Sequence, residues 1–102
     1  MPYIFRVEDE NFIGCYQGDK TICLEFCNKH DDYEQYPGPQ HDEGIDRLPI
    51  ADEICGFLSI KQLKDWFTKD ELHLLKLHGY KIKRVEVIEI TAIGKRQVLA
   101  IR

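Results

Sequence analysis

The sequence predicts an α+β domain, and three observations predict it. Apolar residues alternate with period two near both ends of the chain. Between them lie two helix-start codes, Ser59-x-x-Gln62 and Thr68-x-x-Glu71, each opening a stretch of helical period. The chain has 102 residues, enough for one modest core and too few for a second. The expected architecture is a single domain over residues 1–102. It has an antiparallel sheet, two short capped helices packed on one face, and a long acidic loop over residues 28–53.

Tyr3 to Glu8 reads as the first strand, with Tyr3, Phe5 and Val7 on one face and Ile4, Arg6 and Glu8 on the other. Asp9-Glu10-Asn11 breaks the pattern, and Gly14 and Gly18 bracket an irregular stretch. Thr21 to Cys27 alternates again, with Ile22, Leu24 and Phe26 on one face, and is expected as a strand, a short helix being the alternative. Residues 28–53 lack periodicity and are punctuated by Pro37, Gly38, Pro39, Gly44 and Pro49. Eight carboxylates there face only Lys29 and Arg47, a local charge of −6. A loop of that length in a small domain is usually functional or disordered.

Ile54 to Leu58 reads as a short buried strand. Ser59 then caps a helix over Ile60–Phe67, and Thr68 caps a second over Lys69–His78, ended by Gly79. Trp66, Phe67, Leu72 and Leu75 are the packing residues. Tyr80 to Thr91 is a long strand whose apolar phase changes between Val87 and Ile88, which predicts a β-bulge. Gly94-Lys95 turns the chain, and Arg96 to Ile101 returns as the last strand.

Composition excludes several classes. Apolar residues are 43% and charged residues 31%, the balance of a folded domain. The net charge of −4 argues against a general basic field for nucleic acid. No apolar run approaches the roughly 20 residues of a membrane span, and no secretory signal opens the chain. Cys15, Cys23, Cys27 and Cys55 are therefore expected as reduced thiols in a cytoplasmic protein.

Five chemistries can be drawn from these residues. Cys23, Cys27, His30 and His41 offer zinc a Cys2His2 set, with a zinc-stabilised interaction module as an alternative function, but on a strand the two sulfurs stand about 13 Å apart, so no metal is assigned and no cofactor is expected. The acidic loop offers Asp31, Asp32, Tyr33, Glu34, Tyr36, Asp42 and Glu43 as a surface for a basic partner, tyrosines for contact area and acids for steering. Arg6, Ser59 and Glu86 or Glu89 offer a nucleotide pocket: a phosphate on arginine and a helix start, a ribose hydroxyl on a carboxylate. A Cys–His nucleophile from Cys15 or Cys55 with His41 or His73 lacks a local activator. The basic end, from Lys81 to Arg102, carries +4 but no interleaved aromatics for single strands.

Several stretches together resemble a group of small phage, prophage and bacterial proteins. They are Phe5-Arg6-Val7-Glu8, Gly14-Cys15-Tyr16, Tyr36-Pro37-Gly38-Pro39 with His41-Asp42, and Cys55-Gly56-Phe57-Leu58-Ser59 with Gln62-Leu63-x-x-Trp66-Phe67. Leu74 to Tyr80 and Lys81-Ile82-x-x-Val85 complete the set, while Cys15 departs from an expected proline. The resemblance implies a non-enzymatic accessory protein in the host cytoplasm that binds a host protein or nucleoprotein complex, anti-CRISPR inhibition being the concrete version. Monomer and dimer both stay open. The order Arg6, Ser59, Glu86/Glu89 distantly resembles minimal ADP-ribosyltransferase-like domains, which implies a nucleotide-binding protein as the alternative function, either a small transferase or a sponge for a nucleotide signal. The Glu-x-Glu pattern of that family is missing.

Overall fold

Alternation along β1 (Tyr3–Glu8) divides the interior into two cores. Phe5 and Val7 face a helical side with Phe57, Leu63, Trp66, Phe67, Leu75 and Tyr80. Ile4 faces the other way, onto Val85, Val87, Val98 and Ala100. The computed structural model describes residues 1–17, 21–32 and 34–102. Gly18 and Tyr33 lie outside the described residues.

After β1 come α1 (Thr21–Lys29), a 3₁₀ turn (Pro39–His41), β2 (Glu53–Gly56), α2 (Ile60–Trp66) and α3 (Lys69–Leu77). β3 (Lys81–Glu86), β4 (Glu89–Ile93) and β5 (Val98–Ile101) follow. β1 pairs antiparallel with β3, and a second antiparallel sheet has the order β2-β5-β4. The sheets meet where Phe5 and Phe57 exchange backbone N–H···O bonds of 2.7 and 2.8 Å. Val87 and Ile88 join them again, donating to the carbonyls of Pro2 and Ile101. Among the described residues no helix is long and apolar enough to cross a membrane.

The two short helices form where the local code asks for them. The Ser59 hydroxyl accepts from Gln62 N–H at 3.1 Å, and Thr68 with Glu71 makes a complete capping box. Gly79 ends α3 at φ +88°.

Two expectations are corrected, and the acidic loop proves to be anchored. Thr21–Cys27 is helical, because its buried residues are Ile22, Cys23 and Phe26 at helical spacing, while Leu24 is exposed. The strand expected over Tyr80–Thr91 breaks at Val87–Ile88, and the register slips further on, between Ile90 and Ala92. The inward face does change phase, from Val85 and Val87 to Ile90, with exposed Ile88 between them. The acidic loop is also no free loop.

Its anchor is Asp42, only 1% exposed. The Asp42 carboxylate accepts backbone N–H groups of Arg96 and Gln97 at 3.0–3.2 Å, locking the loop onto the turn before β5. Gln97 donates to the Pro37 carbonyl at 2.6 Å. Glu53 takes a bidentate pair from Arg47 at 2.7 and 2.8 Å and a hydroxyl from Thr91.

These contacts separate neighbouring acids. Asp42→Ala leaves backbone donors unpaired and should cost about 2–3 kcal/mol in urea unfolding, whereas exposed Glu43→Ala should stay within about 0.5 kcal/mol.

Candidate functional site

The site starts at Arg6. Its position on the Ile4 face of β1 makes it a charged group on a buried face, 6% exposed. Its Nε lies 3.6 Å from Glu8, but Glu8 is already held bidentately by Arg102 at 2.7 and 2.8 Å and approached by Lys83 at 3.8 Å. Burial pulls the Arg6 pKa below its ordinary value, and Glu8 only partly opposes this. Nearby Gly14 makes the space: a Cβ there would stand 2.9 Å from Arg6 Nη2.

Arg6 lies in the wall of a cavity of about 340 Å³, shared with Gly14, Cys55, Phe57, Trp66 and Gln97. In the same lining, the rings of Tyr36 and His30 stack at 3.9 Å and 6°, and Tyr36 meets Trp66 edge-on at 5.4 Å. A relay stiffens this wall. Trp66 Nε1–H donates to the Tyr16 hydroxyl at 2.8 Å, which contacts His30 Nδ1 at 2.5 Å; His30 Nε2 reaches Glu71 at 2.6 Å. Trp66 can only donate and ionised Glu71 can only accept. With a neutral imidazole, Tyr16 therefore donates to Nδ1, and Nε2–H donates to Glu71.

Burial pushes the Glu71 carboxyl up, but the Thr68 N–H, His30 and Lys29 outweigh it and hold it down at about 2. Burial pushes Tyr16 well above the ordinary phenol value and Cys15 up to about 12. Cys55 moves up for the same reason. These groups stay protonated, so they are not poised nucleophiles. The expected partners of those thiols, His41 and His73, are exposed. The wall suits binding better than covalent chemistry.

The sequence-derived sites fare differently. Asp31, Asp32 and Glu34 are exposed between His30 and Tyr36, where an acidic turn leads into Tyr36. Asp32 Oδ1 accepts Glu34 N–H at 2.9 Å, and the Asp32 carbonyl accepts Tyr36 N–H at 2.7 Å. Glu43 is also exposed. Two members of that surface are corrected: Asp42 is buried in the latch described above, and Tyr36 is half-buried against His30 and Trp66. Tyr33 lies outside the described residues.

The nucleotide pocket does not assemble as drawn. Ser59 is spent on its cap, and Glu86 and Glu89 are exposed. Glu86 pairs with Tyr3, three register steps from the Arg6–Lys83 pair. Neither glutamate nor Ser59 lines the cavity that holds Arg6. The zinc set is dispersed as well. Cys23 contacts the Tyr80 hydroxyl at 3.0 Å, Cys27 the Tyr16 carbonyl at 3.6 Å, and His30 is taken by Tyr16 and Glu71. Among the described residues, no three His, Cys, Asp or Glu are grouped to hold a metal. Sequence reasoning missed Gly14, Gln97 and the Tyr16–His30–Glu71 relay. The one available signal was arginine alternating with Ile4 on an inward face.

A family model described as Bacteriophage T4 Y00F protein matches residues 1–102, and the chain belongs to that family. No curated protein and no solved structure matches it.

The relay carries an acid-stability signature. Glu71 titrates lower in the fold than its ordinary 4.5, so its contribution is complete above that value and is lost as pH falls towards about 2. Glu71→Gln should cost about 2 kcal/mol at pH 7 and flatten the acid limb of stability, read by urea titrations across pH 2–7.

Proposed function

We propose that this phage protein acts as an accessory inhibitor, which binds a host protein or nucleoprotein complex and occupies a basic site with its acidic turn. Membership of a phage protein family supports the setting. The reading rests on the turn bearing Asp31, Asp32 and Glu34, held between the stacked rings of His30 and Tyr36. The flanking His30 and Tyr36 are already packed against each other in the fold, which lowers the conformational freedom lost on binding. Its carboxylates compete with nucleic-acid phosphates for the same Lys and Arg clusters, and steer the approach. Glu43 adds an exposed charge. A host defence complex that handles nucleic acid, of the CRISPR type, is the partner class that fits, and no covalent step is required.

The experiment is affinity purification from phage-infected cells, with a variant carrying Asp31→Lys, Asp32→Lys, Glu34→Lys and Glu43→Lys. The wild-type chain should retain a partner and lose it as salt is raised. The reversed variant should retain none while unfolding within a few degrees of wild type. Equal capture by the folded variant overturns the proposal.

A further inference from the structure

The cavity that holds Arg6 adjoins the acidic turn at Tyr36 but asks for a different ligand. The chain carries 18 Asp and Glu, yet among the described residues none lines this cavity, and Arg6 is its one permanent cation. No hydrogen bond from the Arg6 guanidinium to a described residue forms, and its one ion-pair contact runs through Nε to a carboxylate that Arg102 already grips. Every fully buried side-chain nitrogen or oxygen among the described residues has a hydrogen-bond partner, so the unbonded Nη groups retain access to the cavity. Gly14 leaves the space that the Nη2 end occupies.

We propose that this cavity binds a small anion of the nucleoside monophosphate class, with the phosphate on Arg6 and the planar base against the aromatic wall. Guanidinium is the side chain that matches phosphate oxygens in a planar fork. Phe57, Trp66 and Tyr36 supply the apolar faces on which a base stacks, and such stacking tolerates any base. A cavity of about 340 Å³ is at the small end of ligand sites, which favours one nucleotide over a dinucleotide. Burial leaves the cation under-solvated, a deficit that a phosphate in the cavity corrects. With no sugar-orienting carboxylate among its described lining residues, the site is read as one of capture and not of group transfer.

Trp66 is the chain's single tryptophan, so its indole N–H gives one NMR signal from the cavity wall. The four ribonucleoside monophosphates, their nucleosides and inorganic phosphate are each titrated into the full chain. At least one monophosphate should shift the Trp66 signal to saturation, with its nucleoside and phosphate alone at least tenfold weaker. Arg6→Met should weaken monophosphate binding at least tenfold. Gly14→Ala, which crowds the guanidinium without removing it, should also weaken binding and guards against misfolding of the first variant. No response to any monophosphate at millimolar concentration overturns the proposal, as does equal affinity for nucleoside and monophosphate. Undiminished binding by either folded variant overturns it too. A failed titration leaves the acidic-turn reading standing, since that reading rests on the exposed carboxylates and uses neither Arg6 nor Gly14.

Discussion

The structure depends on one buried carboxylate. Glu8 is fully buried, and it is reached by Arg6 of its own strand, Lys83 of β3 and Arg102 after β5. A lone buried carboxylate is costly, and here the cost is offset only when β1, β3 and the end of β5 are all in place. Burial pushes the Glu8 carboxyl up, and the cations together hold it below its ordinary value. The same arrangement leaves three cations around a single Glu8 charge. Arg102 takes the two good hydrogen bonds, so Arg6 is the member left to face the cavity.

Charge in the acidic segment is divided by task. Asp42 and Glu53 are consumed in holding the chain against β4, β5 and their connection. Asp31, Asp32, Glu34 and Glu43 remain outside. The local charge of −6 therefore overstates what a partner meets. The aromatic wall connects this surface to the interior, because Tyr36 is at once the end of the acidic turn and a lining residue of the cavity.

What was legible in the sequence was local. The boxes at Ser59 and Thr68 are read over four residues, and α2 and α3 follow from them. β1 and the return hairpin are legible from alternation. α1 was misread because Ile22, Leu24 and Phe26 alternate by accident; only the core shows that Cys23, not Leu24, is buried. The Asp42 latch was illegible, since its partners lie more than fifty positions away. The exposed acids could be named from composition, but which acids are exposed depends on that latch. Of the cavity only Arg6 was anticipated, and with the wrong companions, because Gly14, Cys55, Trp66 and Gln97 meet only through the tertiary fold.

The pairing of distant segments also orders events in time. β1 finds its partner strand only at Lys81–Glu86, and the Glu8–Arg102 bond spans 94 positions. Closing such large loops before any reward is gained slows folding relative to a helical bundle of equal size. On the ribosome, β1 emerges first and waits for almost the whole domain to be made. Its unpaired edge is exposed meanwhile, so the growing chain is most prone to association until β3 pairs with β1.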